Sequence, residues 1–402
     1  MRLSQLLVLL IDHLGLMFYG HDQRFYTRVN PHAREYILQK FARSSPYNIT
    51  ELLHAFDFDN ADMLTWTNLC QELSRGMISI IAHINSEDLH WLPSFCLTYQ
   101  IPLVYLNRHY ETTDFSLSLM PDLLPALVAT IRHYQIRRLV YIYDDINGAA
   151  RLKQLLKIQT SNIVPNVNII SRYLDYPEDS YELLQNIELM TNTPTRTLIS
   201  NNTNQKIFGR YIVLDFGSFN TYRIMMDKIK HRGMTTSDYH YILLTLNAQQ
   251  LDMTYFRYGG VNVTFFDLPQ LNDDSARYIN ILQRENLFSF EALLLADAWE
   301  TLIRTINRIF DSNNQSRQKL SLMSVSRPVD TCQNQSVPSW PLGKIYYDYL
   351  LNTTFQGFTG HVQFSPTTGL RTDYTFDVYR VTRNNKPKQI GIFRAPNQLE
   401  VG

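Results

Sequence analysis

Two adjacent carboxylates are the residues of this chain best placed to do chemistry. Asp144 and Asp145 directly follow a β-branched and aromatic run at 138–143 that predicts a strand. A carboxylate pair can work as general acid and base, but no nucleophile lies near it in sequence. We therefore expect a structural role, in which Asp145 or Asn147 caps the helix that is predicted to begin near Gly148.

Two further acidic motifs have familiar spacings without their usual partners. The tripeptide Asp-Phe-Gly at 215–217 also binds metal in protein kinases, but neither an H-R-D loop nor a glycine-rich loop accompanies it. Asp57, Asp59 and Asp62 resemble the start of a calcium loop. That loop needs an oxygen ligand and then a glycine where this chain has Ala61 and Asp62. We expect no kinase chemistry and no calcium site.

Other catalytic and cofactor signatures are also missing from the sequence. It contains no Walker A loop, no G-x-S-x-G elbow and no G-x-G-x-x-G turn. Its eleven histidines never fall at metal-ligand spacing on a plausible helix face. Ser218 and Thr221 are the nearest candidates for contacts to an amino-acid ligand, although helix capping also explains them. We predict a protein without catalytic residues, metal or cofactor.

The elements that must position these residues alternate between strands and helices. This order predicts an α/β fold with parallel sheets covered by helices on both faces. There are too many units for one open sheet, so we expect two Rossmann-like lobes that enclose a cleft at the strand ends. The predicted strands are 13–19, 77–84, 102–106, 138–143, 211–215 and 241–246, followed by alternating strands within 360–392. The predicted helices are 25–41, 63–73, 87–99, 121–134, 148–158, 222–230 and 290–310.

Composition narrows the class of protein. The chain has 402 residues, 37 basic and 37 acidic side chains, so its formal charge of zero gives no reason to expect a nucleic-acid partner.

One arginine and a short apolar run at 1–13 have the shape of a signal peptide, while a buried first strand or helix turn is the alternative. No segment reaches the roughly 18 apolar residues of a membrane helix. The segment 310–341 is polar and aperiodic and is predicted to be a surface loop.

The cysteines and glycosylation sequons do not decide between a cytosolic and a secreted protein. Three cysteines without a C-x-x-C pair are three free thiols in a cytosolic protein, or one disulfide and one thiol in a secreted one. Six Asn-x-Ser/Thr sequons are compatible with secretion. The cysteines are Cys70, Cys96 and Cys332, and the sequons begin at Asn48, Asn201, Asn262, Asn314, Asn334 and Asn352.

Four segments, in order along the chain, resemble the amino-terminal domain of kainate-type ionotropic glutamate receptors. They are Leu-Cys-Gln-Glu-Leu-Ser-Arg-Gly at 69–76, and Tyr-Asp-Asp-x-x-Gly-x-x-Arg-Leu-x-x-Leu at 143–155. Next come Tyr-His-Tyr-Ile and Tyr-Phe-Arg-Tyr-Gly-Gly-Val-Asn within 234–266. The last contains Gly-Phe-Thr-Gly, Gly-Leu-Arg-Thr-Asp and Phe-Asp-Val within 357–381. The sequence is therefore identified as a member of this family.

The resemblance implies a clamshell fold of the type I periplasmic binding-protein kind. Its upper lobe would comprise 14–120 and 267–355, its lower lobe 121–266 and 356–395, and a linker would begin at 396–402. It also implies a disulfide between Cys70 and Cys332, and a buried free thiol at Cys96. Chain-entropy reasoning limits the stabilisation from so long a closure to roughly 5 kcal/mol.

The resemblance further implies a function in receptor assembly. Family members pair as homo- or heterodimers through upper-lobe helices, here 63–73 and 87–99. Large side chains on such helices are the usual interface anchors, and the candidates are Trp66, Trp91, Leu92 and Phe95. We thus expect a non-catalytic, extracellular, non-nucleic-acid-binding domain at the cell surface that mediates dimerisation and possible allosteric regulation. The alternative is an amino-acid-binding clamshell from another receptor class.

Overall fold

The chain is an α/β protein that divides into two compact units. The computed structural model describes residues 15–20, 23–41, 77–83, 91–106, 114–160, 167–192, 210–269, 273–311, 343–381, 387–396 and 398–401. Unit 1 consists of Met1–Pro121 and Gln270–Tyr374, and unit 2 of Asp122–Pro269 and Thr375–Gly402. Parallel sheets and accompanying helices confirm the predicted fold class.

Unit 1 contains a parallel sheet with strand order β1-β2-β3-β4 and a small antiparallel sheet, β10-β11-β12. The parallel strands are β1 (Gly15–Gly20), β2 (Met77–His83), β3 (Leu103–Tyr105) and β4 (Ser116–Ser118). The antiparallel strands are β10 (Phe355–Gly357), β11 (Gly360–Phe364) and β12 (Arg371–Thr372). The helices are α1 (Gln23–Phe41), α2 (Trp91–Tyr99), α7 (Asp273–Arg284), α8 (Phe290–Asp311) and α9 (Gly343–Leu351).

Helix α8 forms the core of unit 1. It packs against α1 and α9, and its apolar face follows the helical period that predicts it from the sequence. Trp299, in the middle of α8, is fully buried, and its Nε1 donates to Asn30 Oδ1 of α1 at 2.8 Å. The Ser289 hydroxyl caps the helix by accepting from Ala292 N at 3.2 Å.

The segment 356–374 lies in unit 1, whereas the sequence prediction assigned it to the lower lobe with 121–266. A β-bridge between Ser118 and Leu370 joins this segment to β4. The turn between β10 and β11 is held by Asp297 of α8. These contacts come from residues far apart in sequence, which a motif-by-motif prediction does not reveal.

Unit 2 contains an eight-stranded sheet with order β15-β14-β13-β9-β8-β7-β5-β6. The segment from β9 to β6 is parallel, while β13, β14 and β15 are added in antiparallel fashion. The strands are β5 (Arg138–Tyr143), β6 (Asn168–Tyr173), β7 (Arg210–Asp215), β8 (Tyr239–Leu243), β9 (Asn262–Asp267), β13 (Thr375–Arg380), β14 (Lys388–Arg394) and β15 (Gln398–Val401). The helices are α3 (Leu124–His133), α4 (Ile146–Thr160), α5 (Ser180–Asn192) and α6 (Phe219–His231).

The central strands of unit 2 are predicted well from the sequence because they are buried. All five residues of β8 are buried, and a strand covered on both faces is apolar without alternation. By contrast, β6 at the edge of the sheet has no buried residue, since three of its residues are exposed and three are half-buried. Its weak pattern gives no strand prediction, and α5, α7, α9 and β9 were also not predicted.

Among the helices that the structure describes, none is long and apolar enough to cross a membrane.

Candidate functional site

The order of the parallel strands places a candidate site at the carboxyl ends of β5 and β7. Strand β5 lies between β6 and β7, so the chain reverses direction across the sheet at this point. Ligands of open α/β sheets bind at such a switch point. Tyr143, the last residue of β5, is in register with Asp215, the last residue of β7. The residues that follow both strands therefore meet at one edge of the sheet.

Asp144 connects the two loops at this edge. Its half-buried carboxylate accepts from Gly217 N at 2.8 Å and from the hydroxyl of Thr221. Burial is the main cause that raises the pKa of Asp144, to about 6, with smaller raising contributions from Asp145 and Asp215. The Asp144 carboxylate thus accepts the hydrogen bond of the Gly217 amide, which lies just before α6.

Asp145, one of the two candidates that the sequence offers, caps α4. Its Oδ1 accepts from Gly148 N at 2.7 Å, and its Oδ2 accepts from Asn147 Nδ2 at 3.2 Å. Burial raises the pKa of Asp145, although the bond from Gly148 acts in the opposite direction. A Cβ atom at Gly148 would lie 2.7 Å from Tyr143 Cβ, so this turn requires glycine.

Asp215 has a structural role beneath the two loops. The carboxylate is buried and accepts from Tyr141 Oη and from Arg151, which is buried as well. Tyr222 Oη donates to Leu214 O and accepts from Phe216 N, both at 3.1 Å. The Asp-Phe-Gly tripeptide is thus fixed by side chains of β5, α4 and α6.

Ser218 is the N-cap of α6, in agreement with the helix-capping role that is one of its two predicted roles. Its Oγ accepts from Asn220 N at 3.2 Å. Thr221 does not cap the helix but is buried in its first turn with its hydroxyl on Asp144. The amides of Gly217, Gly148 and Asn220 therefore all have acceptors within the protein. An incoming carboxylate would have to displace one of them, and would also meet the charge of Asp144.

A second polar cluster lies inside unit 1 and explains the motif at 357–373. Asp297 of α8 is fully buried and accepts from Phe358 N at 2.6 Å, from Thr359 N at 3.0 Å and from the Thr359 hydroxyl. Arg371 donates to Thr359 Oγ1 at 2.6 Å and to Leu119 O at 3.1 Å. We call Asp297, Thr359 and Arg371 the buried relay.

Two glycines of this motif are required by close contacts within unit 1. A Cβ atom at Gly357 would lie 2.3 Å from Asp297 Oδ1, and one at Gly369 would lie 2.1 Å from Ser116 O. Gly369 also has a positive φ of 63°. The motif is thus a structural feature of unit 1, and no signal in the sequence pointed to Asp297 as its partner.

The motif at 234–266 is also structural. Tyr241 Oη of β8 donates to Met234 O at 2.9 Å. The Gly-Gly pair lies against the turn before β8, since a Cβ atom at Gly259 would be 1.8 Å from Thr235 O. These contacts hold the loop between β8 and β9 on unit 2.

Two of the predicted interface residues belong to the core instead. Leu92 and Phe95 are each only 1% exposed, so neither offers surface to a partner. Helical spacing shows that they share an apolar face, but the tertiary fold covers that face. Among the side chains of α2 that the structure describes, those of Ser94, Leu97 and Thr98 are exposed, and Leu97 is 45% exposed.

The remaining predicted residues fall in three groups. Trp66, Cys70, Cys332, Asn48, Asn201, Asn314 and Asn334 lie outside the described residues, as does the side chain of Trp91. Cys96 is buried and free, as the resemblance implied, and burial raises the pKa of its thiol. Asn352 is exposed, whereas Asn262 is half-buried in β9.

Unit 2 carries an apolar surface that the sequence did not predict. Tyr143 and Tyr173 pack together with ring centroids 5.5 Å apart, and Tyr143 lines an open depression of about 370 Å³ with Leu152 and Leu156 of α4. Leu156 is 43% and Tyr173 51% exposed. Leu156 and Tyr173, with Tyr143 and the buried Leu152 beside them, form what we call the α4–β6 patch, which Lys153 and Lys157 border. Exposed apolar side chains grouped in this way often mark an interaction site.

Comparisons with known proteins place the chain among receptors. The family described as "Receptor family ligand binding region" matches residues 53–384. A "Glutamate receptor" from Lymnaea stagnalis is 23% identical over 94% of the chain, which corresponds to 40% of the relative. "Glutamate receptor ionotropic, kainate 1" is 23% identical over 80% of the chain in Homo sapiens, and 24% over 83% in Mus musculus. These matches span 34% and 38% of the two relatives, so the chain covers less than half of each.

Proposed function

The chain belongs to the family of receptor ligand-binding regions, and on that premise we propose that it is the extracellular amino-terminal domain of an ionotropic glutamate receptor subunit. The observation that carries this proposal is the similarity to glutamate receptors over 94% of the chain. The alternating α/β units and the order of the four motifs agree with it. On this proposal the chain has no catalytic function, and its activity within a receptor depends on segments beyond its own length.

We propose that the domain serves subunit assembly by forming dimers. Two described surfaces support this proposal. The α4–β6 patch presents two large apolar side chains at the edge of the sheet of unit 2, and α2 presents Leu97 in unit 1. Exposed aromatic and aliphatic side chains supply the anchors of protein interfaces. Since Leu92 and Phe95 are buried, Leu97 takes their place as the candidate contact of α2.

The dimer proposal is tested by sedimentation velocity over a range of protein concentrations. We expect the secreted, oxidised chain to dimerise reversibly, and Leu156→Asp or Leu97→Asp to shift the equilibrium towards monomer. A buried charge at an apolar contact costs several kcal/mol, so the dissociation constant of the dimer should rise by about tenfold or more. Leu189→Asp is the matched control, because Leu189 on α5 is 58% exposed and lies outside both surfaces.

Dimers that are equally weakened by all three variants would point to general destabilisation and would contradict the assigned surfaces. A chain that stays monomeric at high concentration would refute self-assembly, and mixing with other receptor subunits would then test a heteromeric partner. The alternative function, amino-acid binding, predicts a reproducible thermal shift with a free amino acid. The occupied amides at the β5–β7 edge favour assembly over that alternative.

A further inference from the structure

Two carboxylates lie directly opposite each other in the sheet of unit 2. Asp267, the last residue of β9, is in register with Asp377 of the antiparallel strand β13. Side chains at opposite positions of an antiparallel pair point to the same face and approach within about 5.5 Å at their Cβ atoms. Like charges in that arrangement destabilise the pairing.

The surroundings of the pair do not neutralise it. Asp377 is only 5% exposed, and its neighbour on the other side is the apolar Ile392 of β14. Within the described part of the chain, no hydrogen bond reaches the Asp377 carboxylate. Asp267 accepts from Leu268 N at 2.8 Å and from the side-chain amide of Gln249. A buried carboxylate without a partner is costly unless it is protonated.

Two charged side chains on the neighbouring strands share the face of Asp377, but they pair with each other. Arg394 of β14, which lies opposite Thr375, contacts Glu400 of β15 at 2.6 Å. Tyr379, two residues after Asp377, stacks on Phe265 of β9 with centroids 5.5 Å apart. Burial, Asp377 and Asp267 together raise the pKa of Tyr379, so its phenol stays neutral in the physiological range. Among the described residues no basic side chain acts on either carboxyl group.

Both carboxyl groups therefore hold protons more tightly than a free aspartate. Burial raises the pKa of Asp267 to about 6, and the charge of Asp377 adds to this effect. Burial also raises the pKa of Asp377. When two such groups interact, the first proton bound belongs to the pair rather than to either residue.

We propose that Asp267 and Asp377 share one proton under mildly acidic conditions and lose it near neutrality, which makes the pairing of β9 with β13 sensitive to pH. This position matters because the chain leaves unit 2 at Pro269 and re-enters it at Thr375. The chain thus passes to unit 1 shortly after β9 and returns from unit 1 at the start of β13. The inference does not depend on the proposed assembly function.

The direction of the effect follows from linkage. A carboxyl group whose pKa is higher in the folded protein than in the open state stabilises the closed form as pH falls. With a folded pKa of about 6 and an ordinary value of about 3.9 in the open state, acidification from about pH 7.5 to about pH 5.5 should strengthen the β9–β13 pairing about fourfold.

Hydrogen exchange of peptides from β9 and β13 tests the proposal, with rates corrected for the intrinsic effect of pH. We expect the full chain to show about fourfold higher protection near pH 5.5 than near pH 7.5. Asp267→Asn should remove most of this ratio without lowering protection at neutral pH, because asparagine resembles the protonated acid. Asp377→Asn should also reduce the ratio, since it removes the opposing charge.

Asp175→Asn is the control, because Asp175 is exposed and lies away from the pair. It should leave the ratio unchanged. The proposal is overturned if both pair variants keep the fourfold ratio, or if they lower protection equally at both pH values, as a purely structural role would. It is also overturned if Ca²⁺ at neutral pH, rather than acid, raises protection, because the pair would then be a cation site.

Discussion

The buried relay of unit 1 gives a sharp prediction about stability. Asp297 and Arg371 are linked through the hydroxyl of Thr359, and both charges are buried. Burial raises the pKa of Asp297 to about 6, even though Arg371 acts to lower it. Burial likewise lowers the pKa of Arg371 to about 10. Both groups remain ionised near pH 7.5, each dependent on the other for compensation.

Removing one charge should therefore cost more than removing both. Asp297→Asn leaves the Arg371 guanidinium buried without its counter-charge. Arg371→Leu likewise leaves the Asp297 carboxylate buried without its counter-charge. Breaking a buried ion pair from one side costs about 3–5 kcal/mol. In the double variant no buried charge remains, so we expect its loss to be smaller than the sum of the single losses by about 2 kcal/mol or more.

The geometry makes this double-mutant cycle easy to interpret. Arg371→Leu also deprives the carbonyl oxygens of Leu119 and His361 of their donor. That loss occurs in the single and in the double variant and therefore cancels in the coupling energy. What remains is the interaction between Asp297 and Arg371, including the part that passes through Thr359.

Urea unfolding followed by tryptophan fluorescence measures the relay selectively. All four tryptophans belong to unit 1, at Trp66, Trp91, Trp299 and Trp340, so the signal reports the unit that contains the relay. The control cycle is Lys344→Leu with Asp348→Asn, an exposed pair of α9 with a 3.1 Å contact, whose coupling should be about 0.3–0.5 kcal/mol.

The reasoning is refuted if the relay couples no more strongly than the exposed control pair. It is equally refuted if Asp297→Asn costs less than about 1 kcal/mol, the contribution of one ordinary hydrogen bond. A double variant that loses the full sum of the single losses would show that the two charges do not compensate each other.

Three further predictions concern separate parts of the chain. The disulfide that the resemblance implies between Cys70 and Cys332 would leave Cys96 as the single thiol. The urea-unfolded, unreduced chain should then bind one equivalent of a thiol reagent and the reduced chain three, and two or more equivalents before reduction would contradict the pairing. Exposed Asn352 should carry a glycan in the secreted protein, so Thr354→Ala, which removes the sequon at an exposed position, should lower the mass by one glycan, and an unchanged mass would contradict it. The raised pKa of Asp144 means that its ionisation opposes folding above about pH 6. Asp144→Asn should therefore raise the thermal midpoint of unfolding near pH 7.5, and it should reduce the rise in that midpoint when the pH is lowered below 6. A midpoint that is lower than that of the unsubstituted chain at both pH values would contradict this.

The elements of the fold could be predicted where local chemistry is strong. Strand β5 coincides with its predicted range, and α8 ends one residue beyond its predicted end, because a buried strand and a long amphipathic helix have clear patterns. Edge strand β6 and helix α5 have weaker patterns and were not predicted. The cap of α4 by Asp145 was predictable since a cap depends on residues three positions apart.

The sequence by itself determined the α/β class, the capping residues and the resemblance to a receptor family, because each depends on local spacing or on short motifs. Only the tertiary structure decided which distant residues meet. It covered Leu92 and Phe95, joined Asp297 to the turn at Phe358, and placed Asp267 opposite Asp377. Helical and strand periodicity tells which face of an element is apolar, but not which element covers it. Partners separated by 60 or more residues are chosen by strand order and packing, which no local pattern records.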